Sequence, residues 1–591
     1  MKRIVVLGML MLLDVALAQM TIRPNSYVYV NDGLLYVDQG IDLQTDAKLY
    51  LRRDAQLLQN RTKSVSTNLG VGVLSVFQEG TSDEYDYNYW CAPVGIADAI
   101  IGNRLFSLAQ IYRPTTPLVS VGAGTTTGLN GTANPLVISS YWIWTFVTSS
   151  AYSSWVHVGT GNIAPGLGFT MKGTDGADGT DIYGNGVFNN DGSGNQRYDF
   201  RGRPNDANIN VSVAAGQWTL TGNPYPSALF VDAFLLDPDN TEINAAAYYW
   251  EHQKNIDSHF LADYEGGYGT YVPGTPAPGD GIYTSAFINT YNPDGSVDLP
   301  GMIQTGLAIR RDYAPIGQGF MVEGVSGGQV TLKNSHREFY REGLPLSAFE
   351  RPANRETPGD DQRLPHLRFT TVIDNLGGRE LALILVPFAT DGLDRGLEGK
   401  SPNGDELPKD VAFWLNNEKY VIQGVAFDPA KRIPLVVKST GSSVFKFSLS
   451  GVVNFDASQP VFLYDALDNS YHSLNDGGVY EVLVPDGLHA NRFQITFQDS
   501  ALGVANLETT TLQIVQDNTS GELIIRNPQL VEITKCSLYD MAGRLVLEKI
   551  DLGNAAETRM STGGLSEAIY VVKVETDKKD FGQKISVVNR Q

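Results

Sequence analysis

Two cysteines in 591 residues are too few for a disulfide framework. Cys91 and Cys536 also fall in different candidate domains, so stability must come from packed cores, which a chain this long can build. Basic charge is short as well: 44 Lys and Arg stand against 65 Asp and Glu, and 44 − 65 = −21. Such a balance repels nucleic acid and anionic membrane surfaces. It suits a surface protein that binds divalent cations. The seven histidines have no spacing of the His-Glu-x-x-His kind; His252 and His259, flanking Asp257 in a polar stretch, come nearest to a metal site. After the N-terminus no apolar run approaches the ~20 residues a membrane helix needs, so no transmembrane segment is expected. Helical periodicity is scarce too. The modest candidates are Ile96–Ile100 and Ser227–Leu235, the second with Ser227 as its N-cap.

What is present is a leader and many short strands. Lys2-Arg3, an apolar core from Ile4 to Leu13 and the small-x-small site Ala16-Leu17-Ala18 read as a signal peptide over 1–18. It predicts export through the Sec pathway to the periplasm and a mature start near Gln19. Removing Lys2, Arg3 and Asp14 gives 42 − 64 = −22. No Cys follows the cleavage site, which argues against a lipid anchor.

Gly (61) and Tyr (28) are plentiful, and β-rich runs recur between turn residues. The fold class expected is all-β: several β-sandwich or β-rich domains in tandem, ending in a small Ig-like antiparallel sandwich. Residues 19–75 form a β-rich N-terminal module, either a short parallel β-coil stack or an ordinary meander. Residues 76–345 read as two lobes built on one plan, consistent with an internal duplication. The first lobe carries Tyr89-Trp90-Cys91-Ala92-Pro93 and Ala164-Pro165-Gly166-Leu167-Gly168-Phe169. The second carries Gly222-Asn223-Pro224-Tyr225-Pro226-Ser227 and Ala314-Pro315-Ile316-Gly317-Gln318-Gly319-Phe320. A charged, Pro-rich linker follows at 346–364. A β-sandwich of about six to eight strands follows at 365–500, then a second joint at 501–510.

The last segment, 511–591, is a run of short strands broken by Asn-Thr-Ser-Gly, Met-Ala-Gly and Ser-Thr-Gly-Gly. Gly543 should supply a left-handed turn residue, with Tyr539 and Tyr570 packing across the sandwich. Three blocks stand out here: Ser537-Leu538-Tyr539-Asp540-Met541-Ala542-Gly543-Arg544-Leu545-Val546, Leu565 through Tyr570-Val571-Val572-Lys573-Val574, and Gln583-Lys584-Ile585-Ser586-Val587. In these blocks residues 510–591 resemble the type A C-terminal sorting domain of the type IX secretion system. The motif positions are Tyr539, Asp540, Gly543, Arg544, Tyr570, Lys573 and Lys584. One departure is Glu567-Ala568, where the family carries Gly before the Ile/Val-Tyr pair; it puts a tight turn there in question. The resemblance implies export to the cell surface or beyond, with the translocon, its shuttle protein and a surface sortase as partners. Within residues 70–345 the Tyr-x-Tyr-Trp-x-x-Pro-Val block, the Gly-Asn-Pro-Tyr-Pro-Ser block and the Gly-Gln-Gly-Phe block, the last followed by Asn334-Ser335-His336-Arg337, also resemble large surface proteins that carry the same domain. That likeness implies a surface location and no activity.

Candidate chemistry is sparse. Asp175, Asp178 and Asp181 recur every three residues among glycines, a pattern that could wrap Ca²⁺ with carboxylates and carbonyls. Asn189–Asn195 and Asn292–Asp298 are similar. The plainer reading is that Asp, Asn and Gly make turns there. Asp391 and Asp394, near Glu398, could bind a cation or act as acid and base, or simply cap their loop. Gly324-Val325-Ser326-Gly327-Gly328 matches a nucleophile pattern but lacks the strand-to-helix context it requires. Tyr85, Tyr87 and Trp250, with Tyr89, Tyr248 and Tyr249, could stack on a glycan, although alternation along a strand should bury some of these rings. No cofactor is required by any of this. The function expected is a non-enzymatic surface or secreted protein working in adhesion, surface structure or ligand binding. The alternative is a secreted carbohydrate- or peptide-degrading enzyme with an unrecognised carboxylate site.

Overall fold

The computed structural model describes residues 19–254, 256–300, 310–347, 349, 364–402, 404, 406–499, 512–528, 530–540, 543–576 and 581–588. The expected signal peptide, the joint at 501–510 and nearly all of the linker at 346–364 lie outside these residues. The chain divides into two compact units at Asp499/Ser500. As expected, the protein is all-β. Among the described residues the α-helix is Val231–Leu235, and no helix is long and apolar enough to cross a membrane.

The first unit opens as a three-sided parallel β-coil. Strand Met20–Ile22 pairs in parallel with Ile41–Leu43, Tyr27–Asn31 with Lys48–Arg52, and Leu34–Val37 with Gln56–Gln59. Paired residues are 21 or 22 positions apart, as in Met20↔Ile41 and Leu34↔Gln56. The corners repeat with the same step. Asn25 and Asp46 have φ of 55° and 56°, and Asp32 and Arg53 have 54° and 55°. Asn and Asp adopt this left-handed region more readily than other side chains, so the coil, not a meander, is the form the sequence takes. Ile22, Leu43, Leu49, Leu51 and Leu57 fill its interior. The second side continues through Val73–Glu79 into antiparallel strands Arg197–Pro204, Ile111–Pro114 and Ser120–Gly122.

Each of the two regions that read as one plan pairs the strand that opens at its Gly-Phe block with an earlier strand of the same region. Tyr87–Cys91 runs antiparallel to Gly168–Lys172, and Trp218–Gly222 runs antiparallel to Gly319–Glu323. The pairs adjoin, since a Cβ on Gly168 would meet Leu220 and one on Gly222 would meet Cys91. Strand Ala247–His252 is buried on both faces, with Tyr248 in one core and Tyr249 in another. These two rings are therefore core, not ligand platforms. The serine motif at 324–328 joins strand Gly319–Glu323 to Gly328–Leu332, which pairs in a different sheet with Ile209–Val213.

Two expectations need correction. Ser227 does not cap a helix: residues 228–230 are strand, and Phe230 takes the N-cap position of the five-residue helix. Ile96–Ile100 is not helical.

From His366 to Thr496 an eleven-stranded sheet rolls over its own core. Its terminal strands Ser470–Ser473 and Val479–Val484 approach each other, with the His472 ring stacked on Tyr480 at 3.6 Å. The sequence separates this region from what precedes it, but one hydrophobic core runs through both. Leu220, Tyr248, Val272, Phe287 and Met321 share it with Phe369, Leu381, Phe413 and Phe445.

The second unit is a small antiparallel sandwich. Gln513–Asp517, Glu522–Arg526 and Glu557–Ser561 form one sheet. Leu545–Gly553, Ile533–Asp540, Ala568–Thr576 and Phe581–Val587 form the other. Ile514, Leu523 and Ile525 face Cys536, Leu538, Val572 and Ile585 across its core.

Candidate functional site

A group of titratable side chains in the first unit surrounds Lys172. Lys172 is the last residue of its strand, paired with Tyr87, so both side chains share one face. The chain buries the lysine to 3 % exposure. Its ammonium lies 4.0 Å from the centroid of the Trp142 ring, 4.8 Å from that of Tyr87 and 5.0 Å from that of Tyr264. It donates to the Tyr264 hydroxyl and to His259 Nδ1, the latter at 3.1 Å. His259 Nε2 then faces Asn130 Oδ1 at 2.6 Å, and Tyr264 donates onward to the Tyr85 carbonyl. With Nδ1 accepting, the imidazole proton belongs on Nε2. His259 is sandwiched by Trp142, stacked at 5.3 Å, and Tyr85 at 4.9 Å. Beside the cluster, Asp86 Oδ2 lies 3.1 Å from Nε2 of His252, both side chains nearly buried.

Burial pulls the Lys172 ammonium down to about 7, with Asp86, Asp83 and Glu84 opposing part of that fall. Burial and then the Lys172 charge hold His259 below its usual value. The arrangement can hold a cation against aromatic faces and pass a proton between Lys172, His259 and Tyr264. Tyr85 and Tyr87, singled out in the sequence, belong to this cluster. Their rings are engaged by His259, Trp142 and Tyr264. Trp250 lies elsewhere, half-buried against Tyr268 and Tyr291. Lys172, Trp142 and Tyr264 carry no local sequence signal, because the cluster is assembled from segments up to 179 residues apart.

The aspartates of the candidate cation loops are placed separately. Asp178 is fully buried and takes a two-pronged ion pair from Arg113 at 2.6 and 2.7 Å. Burial alone would push its carboxyl up, but hydrogen bonds from Arg113, Asn189 and Thr180 hold it below the usual carboxylate range. Asp181 instead accepts backbone N–H groups from Gly186, Asn185 and Tyr183, which lower its pKa. Asp175 is exposed. Asp391 pairs with Lys431, while Asp394 caps its loop through Thr390. Asp394 N–H donates at 2.6 Å to Glu398, whose carboxyl burial pushes up to about 8. Among the described residues no three His, Cys, Asp or Glu side chains converge on a metal-sized site.

The Gly-Asn-Pro-Tyr-Pro-Ser and Asn-Ser-His-Arg blocks converge on one structural lattice. Arg337 is fully buried over the Tyr225 ring at 4.6 Å. It donates to Ser227 Oγ at 3.0 Å, Asn334 Oδ1 at 2.8 Å and the Leu57 carbonyl at 2.5 Å. Asp206 faces it at 3.6 Å and receives Lys63 at 2.8 Å. Asn223 Nδ2 donates to the carbonyls of Ser227, Ala314 and Pro315. These residues tie the β-coil to the second lobe.

In the second unit the Asp-x-x-Gly-Arg block is a clamped strand turn. Gly543 has φ of 79°, and its N–H donates to the Asp540 carbonyl at 2.9 Å. Asp540 accepts Arg544 N–H at 3.0 Å and Nε at 2.7 Å. Tyr570 is core and its hydroxyl donates to the Ser566 carbonyl at 2.9 Å. Tyr539 does not pack across the sandwich: it follows buried Leu538 and points to the half-exposed face. Lys573 pairs with Glu575 at 3.0 Å, and Lys584 is exposed on the neighbouring strand. Ala568 opens its strand without a left-handed residue, so no glycine is needed there.

Residues 8–497 match a family described as "Domain of unknown function (DUF8693)". The chain belongs to this family. Residues 519–588 match the secretion system C-terminal sorting domain. The DUF8693 match ends within three residues of the division between the compact units, and the sorting match falls wholly inside the second. No curated protein matches the chain. Among solved structures, one described as "Biofilm associated protein - BSP domain" aligns over 89 % of this chain and 98 % of that one, at 9 % identity and a TM-score of 0.13. A TM-score that low carries no argument. The DUF8693 chain is therefore type IX secretion cargo, with an all-β body ahead of its sorting domain.

Proposed function

We propose that the protein is a non-enzymatic cell-surface or secreted protein that works by binding, in adhesion or surface structure, with a glycan or another cell-surface ligand as its partner. The observation that carries the reading is the C-terminal sandwich, whose residues 519–588 match the sorting domain. Two features of the body support it. The polar residues of the shared blocks hold lobes together, as Arg337 does. The chain's charge of −21 favours neutral or cationic partners. Delivery follows from the leader and the tail: the Sec pathway to the periplasm, then the translocon, its shuttle and a sortase.

Glycan-array binding of the mature chain, with and without EDTA, tests the binding role. The expected outcome is retention of a defined glycan set with no turnover of it. A signal lost in EDTA would show that binding needs a divalent cation, with Ca²⁺ favoured by carboxylate and carbonyl oxygen. Cleavage of an arrayed glycan would contradict the reading and favour the hydrolase.

A further inference from the structure

We propose that the open first turn of the β-coil is a self-association surface, at which two copies of this chain pair head to head. Among the described residues all three strands of that turn are paired on one side only. Among the described residues Met20–Ile22 and Leu34–Val37 each belong to a two-stranded sheet, and Tyr27–Asn31 is the last strand of its sheet. Their partners all lie one turn further along the coil, so the three free edges face the same way. An unpaired strand edge is a template for another strand, and a stacked coil needs a polar cap at its end. Here the end is apolar. Met20, Val28, Val30 and Leu35 are core residues left partly uncovered, and Tyr27, Tyr29 and Tyr36 are 59 %, 38 % and 53 % exposed.

The strands are short, at three to five residues, and Arg23 and Pro24 stand at one corner, but charge and proline are missing from the strands themselves, MTI, YVYVN and LLYV. On a chain of net charge −21 this is a neutral end at which two copies can meet.

Charge also selects the geometry. Arg23 stands at the corner before strand Tyr27–Asn31, and Asp32, paired with Arg341 at 3.1 Å, stands at the corner after it. Antiparallel pairing brings the Arg23 corner of one copy to the Asp32 corner of the other; parallel stacking would set like on like. A twofold axis through Tyr29 gives that arrangement. It pairs Tyr27–Asn31 with itself, sets Val28 against the copy's Val30, and places Met20–Ile22 opposite the copy's Leu34–Val37. All three edges are then satisfied at once. A second copy is favoured over a flexible peptide because its strands are already ordered, so no chain-ordering cost is added. The turn spans 18 residues, Met20 to Val37, below the ~20–30 a side of a standard interface, so a reversible dimer is expected.

Sedimentation of the mature chain over about 1 to 100 µM should show a monomer–dimer equilibrium. The exposed substitution Tyr29→Lys, which sets like charges on the axis, should abolish it while circular dichroism stays unchanged. A Tyr29→Cys chain should form a covalent dimer under mild oxidation, because directly opposed residues in an antiparallel pair lie within disulfide reach. The native Cys91 and Cys536 are buried, so background is low. Val325→Cys, on an exposed turn of the second lobe, is the control. A chain that sediments as a monomer throughout, a dimer that survives Tyr29→Lys, or crosslinking of Tyr29→Cys no faster than of Val325→Cys would overturn the proposal.

Discussion

Lys172 is an amine buried to 3 % exposure, and its partners explain how its charged form is accommodated there. Three aromatic faces and two hydrogen-bond acceptors replace hydration. Burial still lowers its pKa to about 7 from the usual 10.5. Between these values the unfolded chain binds more protons than the folded one, so stability rises with pH across the window and the contribution is lost as pH falls towards 7. The expected outcome is that Lys172→Met flattens this part of the stability curve, read from urea midpoints at pH 7, 8.5 and 10. An unchanged slope would show that the ammonium titrates normally. None of this was legible in the sequence. Lys172 looks like the polar end of an apolar strand, and Asn130, Trp142, His259 and Tyr264 reach it only through the tertiary fold. The aspartates were legible as turn formers, as Asp181 and Asp394 show. That Asp178 would be claimed by Arg113, 65 residues away, was not.

At the scale of the element, glycine marks the places where strand pairs meet. Gly319 opens its strand against the first lobe, where an added Cβ would sit 2.7 Å from the Tyr89 carbonyl carbon and 2.8 Å from the Trp90 nitrogen. Those are backbone atoms and cannot step aside. Gly319→Ala should therefore destabilise the first unit by about 1–3 kcal/mol, as overpacking does. Gly327→Ala, with nothing within 4 Å, should be close to neutral. Urea unfolding of the two variants checks this, and equal midpoints would contradict the packing account. The Gly-Gln-Gly-Phe block was visible in the sequence as a strand opener; that it seals two lobes together needed the fold. The 21-residue step of the coil was weakly legible, because Asn25 and Asp46 mark its corners while Asp32 and Arg53 share a conformation without sharing a residue type. Ser227 misled because its hydroxyl is taken by Arg337 and not by a helix N-terminus. Composition around 346–364 gave no sign of the hydrophobic core shared by the described residues on both sides of it.

On the scale of the whole molecule, the chain is two compact units with separate cores. The second was the most legible part, since its alternating strands and three ordered blocks are local features, and the structure returns them as a sandwich. The chemistry of its motif residues is modest. The Asp540–Arg544 pair clamps a turn with Arg544 side chain 81 % exposed, so it shapes the domain and adds little stability. The unit therefore acts as a folded shape presented at the C-terminus, and the body ahead of it is what that shape delivers. Comparing the full chain with one ending at Asp499, in cells that carry the type IX system, tests this directly. Immunoblots of medium, cell surface and periplasm should find the full chain outside the cell and the truncated chain retained, folded, in the periplasm. A truncated chain recovered from the surface or medium as efficiently as the full one would contradict the account.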